Sequence, residues 1–302
     1  MCVEGNADIY VPAGWEPHAE LAVMVQEHLA LPHHEHRHRE VPTALLRSHK
    51  APGYTSRPAG YAGSQIDVAN VRKLRFAMRL QRRSGQVGGI PEDAFRRADE
   101  APDEEFYRTS RLVTHIDERA IGAVTQLYRD FFPPGGEILD LMSSWVSHLP
   151  PEIGYRRVVG LGMNAEELRH NERLDAVVVQ NLNTNPRLPF EDAEFDGAGI
   201  CVSIDYLTRP VEVLREVGRV LKAGAPVVIT FSNRCFPTKA VAVWHRLDDR
   251  RRMRLVERYL QDAGNLQNIR SLDRSPRPMF SDPLYAVVGE SVGPFESDKG
   301  ET

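Results

Sequence analysis

The chain has 302 residues, 41% of them hydrophobic, a formal net charge of −4 and three cysteines. That length suffices for one large domain with an appendage. The charge gives no global electrostatic footprint for nucleic acid, and Cys2, Cys201 and Cys235 are too widely spaced for the disulfide framework of a small secreted fold. No apolar run approaches the roughly 20 residues of a membrane span, and the N-terminus lacks a basic-then-apolar signal pattern, so a cytoplasmic protein with no membrane partner is expected.

Residues 1–104 read as an N-terminal extension, partly disordered. Ala19 to Leu31 has the pattern of a short amphipathic helix, and Pro32-His-His-Glu-His-Arg-His-Arg39 follows at once; seven of the eleven histidines precede residue 50. Converging imidazoles bind divalent metals, but no cysteine or carboxylate stands at a zinc-site spacing, so a solvated tract and no metal centre is the expectation. Ala51 to Ser64 is a Gly/Pro/Ser-rich loop. Val68 to Arg83 places Val68, Val71, Leu74, Met78 and Leu80 at roughly helical spacing among six basic residues, the pattern of a charged helix over a core and, secondarily, of a phosphate-contacting helix. Ser84 to Glu105 reads as a linker.

From residue 105 to 290 strands and helices alternate. Phe106 to Phe132 contains a helix with Thr114 or Asp117 as cap. It ends at Pro133-Pro-Gly-Gly136 and feeds a buried strand at Ile138–Met142. Further strands are expected at 157–161, 175–180, 195–204 and 226–231, with helices at 164–171, 211–221 and 239–263, then late strands near 267–272 and 285–289. This alternation implies right-handed crossovers, a mostly parallel sheet and helices on both faces; such sheets bind ligands beyond the carboxyl ends of their strands. Residues 291–302 read as a flexible tail.

Two runs carry a resemblance: Leu188-Pro-Phe-Glu-Asp-Ala-Glu-Phe-Asp196 and Glu216-Val-Gly-Arg-Val-Leu-Lys-Ala-Gly224. They are similar to the LPF-x-D-x-x-FD and E-x-x-RVLKPGG runs of class I S-adenosylmethionine-dependent methyltransferases of the type 11 group. The resemblance implies a Rossmann-like methyltransferase fold with a seven-stranded sheet, S-adenosylmethionine as cofactor, and a small-molecule acceptor as partner. A methyltransferase-like binding or regulatory protein without turnover is the alternative.

The chain departs from the family at three places. The D-x-G-x-G loop, whose glycines let backbone approach the ligand, is here Asp140-Leu-Met-Ser-Ser-Trp145; the acidic residue after the second strand is Gly162; the Asp after the third strand is Asn181. Asp140, Ser143, Ser144, Asn164, Asn181, Leu182 and Ser203 are therefore the expected cofactor contacts. Asp140 has an alternative role as loop anchor, and Asn164 one as helix cap. His148 is the best candidate acid or base, because it follows a strand end and its unperturbed pKa is near neutrality; capping of the serine-rich loop is its alternative role. Asn233 and Arg234, beyond the fifth strand, are expected to face the acceptor, with Arg234 free instead to hold its own loop to an acid such as Asp205. Cys235 is expected to be buried and inert, and Tyr107, Arg111 and His115 either to pack their helix or to form a lid. The sequence does not fix the oligomeric state.

Overall fold

A computed structural model describes residues 89–276 and 281–293. The helices read at 19–31 and 68–83, the histidine-rich tract and residues 294–302 of the tail lie outside them. Seven strands form one sheet in the order β3-β2-β1-β4-β5-β7-β6. They are β1 (Glu137–Leu141), β2 (Arg157–Gly162), β3 (Ala176–Val179), β4 (Gly197–Cys201), β5 (Pro226–Phe231), β6 (Leu266–Asp273) and β7 (Tyr285–Ser291). β1 to β5 pair in parallel, and β7 runs antiparallel to both β5 and β6. The chain lays β2 and β3 on one side of β1 and β4 and β5 on the other, so strand order reverses between β1 and β4. A crevice opens beyond the strand ends at such a reversal. Among the described residues no helix is long and apolar enough to cross a membrane.

The near-continuous apolar reading of β1, β2 and β5 follows from burial on both faces. In β1, Leu139 and Leu141 point into one core and Ile138 into the other; in β2, Val159 and Leu161 oppose Val158; in β5, Val227 and Ile229 oppose Val228. One core is closed by the helix Pro210–Val220, through Val213, Leu214 and Val217, and by the helix Asp249–Ala263, through Leu255, Val256 and Leu260. The other is closed by the helix Glu118–Phe131, which Asp117 caps by accepting from the Arg119 and Ala120 amides. Each of these fully buried aliphatic side chains contributes roughly 1.5–3 kcal/mol over exposure.

The helix expected over 239–263 is broken. Ala242–His245 and Asp249–Ala263 are separate, because Asp248 caps the second by accepting from the Arg251 amide. The fourth strand is shorter than expected, ending at Cys201, where Val202 turns the backbone to φ 45°.

The two runs that carry the resemblance are bolted together at the amino end of β4. Arg219 donates to the Leu188 and Phe190 carbonyls, to Asp192 and to Glu216, while Glu216 accepts the Leu188 amide. Lys222 pairs with Asp196 at 2.7 Å. The side chains by which the family is legible therefore hold the start of β4, at the opposite end from its ligand-facing tip. Replacing Arg219 by Met leaves two carbonyls and Glu216 without their donor, and we expect a loss of about 2–4 kcal/mol in urea unfolding, with ligand affinity unchanged.

Candidate active site

β1 delivers Asp140 to a loop without glycine, and the loop is held by its own hydroxyls. The buried Asp140 carboxylate accepts from Ser143 Oγ (2.7 Å) and from Ser147 Oγ. Asn171 Nδ2 donates to Ser147 Oγ (2.9 Å) and to the Ser144 carbonyl (3.0 Å). Burial raises the Asp140 pKa, and the bonds from Ser147 and Ser143 pull it back down. Asp140 does not line the cavity described below. The expected cofactor contact at Asp140 is thus corrected to the loop-anchoring role.

The backbone of this loop keeps a conformation that glycine would supply in the family. Met142, at the first glycine position, has φ 57°, in the left-handed region that costs a side chain-bearing residue about 1–2 kcal/mol. Ser143 donates its amide to the Leu161 carbonyl (2.8 Å) and turns its own carbonyl onto Gly162. A Cβ at Gly162 would stand 2.2 Å from that oxygen, so the family's acidic residue has no room here: the serine loop occupies its place.

A cavity of about 290 Å³ lies at the carboxyl ends of β1 to β5. Met142, Ser143 and Ser144 line it after β1; Gly162, Met163, Asn164 and Glu167 after β2; Gln180 to Asn183 after β3; Cys201 to Ser203 and Tyr206 after β4; Arg234 to Phe236 after β5. The structure therefore brings together Ser143, Ser144, Asn164, Asn181, Leu182, Ser203 and Arg234. It leaves out Asp140, His148 and Asn233. Trp145 is also outside, its indole donating to the Val113 carbonyl at 3.0 Å.

Several of the residues inside already have partners. Asn164 accepts from the Glu166 and Glu167 amides as a helix cap and donates to the Tyr107 and Arg108 carbonyls, which spends its amide. Asn181 donates to Glu104 and accepts from the Asn183 amide. Arg234 is held by Asp282 at 2.8 Å, not by Asp205. Leu182 is a buried apolar wall. Ser203 is different: its hydroxyl is buried and has no hydrogen-bond partner.

The segment read as a linker forms part of the wall. Residues 96–99 pair with the chain after β5, through Ala242 N to Arg96 O and Asp99 N to Thr238 O. Lys239 is fully buried: it donates to the Ala101 carbonyl (2.8 Å) and sits 3.2 Å from Asp99 and 3.3 Å from Asp103. Asp103 also takes Arg97 (2.6 Å) and Asn183 (3.0 Å). This strap carries Tyr107, Arg111 and His115 onto the cavity. Sequence reasoning missed Lys239, whose one signal is a lysine at the head of the apolar run Ala240 to Trp244.

Neither described thiol is set up as a nucleophile. Burial pushes Cys201 up to about 12 and Cys235 up to about 11. His148 is away from the cavity, and desolvation lowers it from 6.5 to about 4, which corrects its expected role as acid or base: it is a half-buried ring, neutral at pH 7. Among the described residues His115 is the only histidine on the cavity; desolvation lowers it, Glu167 acts against that shift, and Arg111 adds to it.

Two outcomes follow for stability. Gly162→Ala forces a Cβ against the Ser143 backbone and should cost about 1–3 kcal/mol in chemical unfolding, with faster amide exchange over 142–148. For His148, the unfolded ring binds the proton more readily than the folded one, so its contribution is complete above pH 6.5 and is lost as pH falls toward 4, on the order of 3 kcal/mol. Asp205, buried and raised to about 7, runs in the opposite sense over that range. The wild-type curve minus that of His148→Gln therefore isolates the histidine, and the difference should close below pH 6.5.

The Methyltransferase domain family matches residues 143–229. No curated protein matches the chain. Among solved structures the chain is similar to an S-adenosylmethionine-dependent methyltransferase of Archaeoglobus fulgidus (15% identity, 63% of this chain and 98% of that one, TM-score 0.43). It is also similar to one of Aquifex aeolicus (17%, 58% and 92%, TM-score 0.41) and one of Methanosarcina mazei (18%, 55% and 97%, TM-score 0.37). Over residues 143–229, from the loop after β1 to within β5, the chain is similar to a methyltransferase domain.

Proposed function

We propose that the protein moves a methyl group from S-adenosylmethionine to a small molecule admitted to the cavity. The observation that carries this reading is the buried, partnerless hydroxyl of Ser203 in a wall whose other polar groups are largely satisfied. A buried polar atom without a partner costs about 1–3 kcal/mol, and a ligand oxygen or nitrogen recovers that cost.

The residues present suit an adenosyl group. Leu161, Leu182 and Val202 offer apolar surface for a base, and Ser143, Ser144 and Ser203 line the same cavity with hydroxyls for a sugar. When bound, the cofactor supplies an electrophilic sulfonium methyl. The chain's own part is to hold the acceptor near it and take its proton. His115 suits the second task, since its ring is neutral at pH 7, it packs edge-on to Phe236 (5.2 Å), and no described group hydrogen-bonds its nitrogens. This replaces the role expected of His148. Tyr107, Tyr206 and Phe236 supply aromatic surface for the acceptor.

Trp145 leaves the cavity open, its indole donating to the Val113 carbonyl. A cavity of this size lies at the lower end of the roughly 300–1,000 Å³ typical of small-ligand sites, which supports a compact acceptor.

Mass spectrometry of the purified protein should detect S-adenosylhomocysteine, and calorimetry should show it bind. Ser203→Ala should weaken that binding by about fivefold while unfolding stability stays level or rises, because an unsatisfied hydroxyl has been removed. Absence of binding at millimolar S-adenosylhomocysteine overturns the function.

A further inference from the structure

The cavity holds two opposite charges that are close neighbours without being each other's ion-pair partners. Arg111 lines it with the guanidinium laid over Phe106 (4.5 Å to the centroid) and Phe236 (5.4 Å). It donates to the carbonyls of Thr109 (3.3 Å) and Phe106 (3.0 Å), and no described carboxylate is within ion-pair distance. Of its five donors, three stay available. Glu167, 8% exposed, lines the same cavity; its carboxylate accepts from Ser144 Oγ and from the Arg111 amide, both at 2.7 Å, and no described cation pairs with it. Each carboxylate oxygen retains a lone pair.

Buried charges are ordinarily paired. The buried Arg97 obeys that rule with Asp103, and even the exposed Arg234 is paired, with Asp282. Arg111 and Glu167 do not, and they are 56 residues apart in sequence. What joins them is the strap's second fastening, in which Asn164 holds the Tyr107 and Arg108 carbonyls and Ser110 donates to Glu166 at 2.7 Å. Two charges of opposite sign on one cavity, joined through the Arg111 amide and neither ion-paired among the described residues, complement a ligand carrying an ammonium and a carboxylate on one carbon.

We propose that Arg111 and Glu167 form an α-amino-acid-reading end of the cavity, with Arg111 receiving the carboxylate and Glu167 the ammonium of the cofactor's methionine tail. This rests on the adenosyl reading above and names the residues that replace the missing glycine loop at that end. A planar guanidinium already backed by aromatic rings donates two parallel hydrogen bonds to a carboxylate.

The test compares two ligands by calorimetry: S-adenosylhomocysteine, which has the amino-acid tail, and 5′-methylthioadenosine, a thioether nucleoside that lacks it. Wild type should bind the first at least tenfold more tightly. Arg111→Ala and Glu167→Gln should each weaken S-adenosylhomocysteine by about tenfold or more and leave methylthioadenosine within twofold, with Arg111→Lys recovering part of the loss. Thermal melts of the variants establish that they fold. Equal affinity of wild type and variants for S-adenosylhomocysteine overturns the proposal while the cofactor reading stands. Equal loss toward both ligands also overturns it and makes the pair a packing contact of the strap. Failure of wild type to bind either ligand sinks the cofactor reading, and this proposal with it.

Discussion

A buried carboxylate with two serine hydroxyls on it is the constraint from which the ligand end of this domain is built. Asp140 cannot reach solvent, so its charge or its proton must be accommodated by neighbours, and Ser143 and Ser147 supply the donors. Meeting that need coils the chain back on itself immediately after β1. Asn171 closes the coil from outside, and the Ser143 carbonyl is left lying across β2 at Gly162. A glycine-rich loop approaches a ligand because it has no side chains in the way; this loop achieves a fixed path because its side chains are turned inward and hydrogen-bonded. The left-handed Met142 is the local cost of that path, held by the packing around it.

A second layer of the same logic sets the strap. Residues 96–111 would be a loose connection if they relied on apolar contact alone, since few of their side chains are buried. Instead Lys239 buries a charge among Ala101, Asp99 and Asp103 at one end, and Asn164 commits its whole amide at the other. Both fastenings join segments far apart in sequence, and both leave Tyr107, Arg111 and His115 on the cavity between them. A buried ion network of this kind is expensive to open once one partner is removed, which makes the strap part of the site and not a passing cover.

The legible and the illegible parts of the site differ in kind. Asn164 was read correctly as a residue that could cap a helix, because capping is local: the side chain needs only the amides two and three positions ahead. His148 was misjudged, because proximity to a strand end says nothing of which way a ring turns, and desolvation then removed its titration from the neutral range. Gly162 stands where the family has an acid; its reason is the oxygen of a residue nineteen positions away, which no local pattern contains. Lys239 and the Arg111–Glu167 neighbourhood likewise depend on pairings across the fold.

By itself the sequence determined the alternation of strands and helices, the burial of β1 on both faces and the resemblance to methyltransferases, because these rest on periodicity and on runs whose partners lie within a few dozen residues, as Arg219 shows with Leu188 and Glu216. Only the tertiary structure decided which charges meet. Strand order brings the tips of five strands to one crevice, the strap is laid over it from a stretch that read as linker, and a carboxylate or guanidinium takes its role from whatever the fold sets against it within a few ångströms.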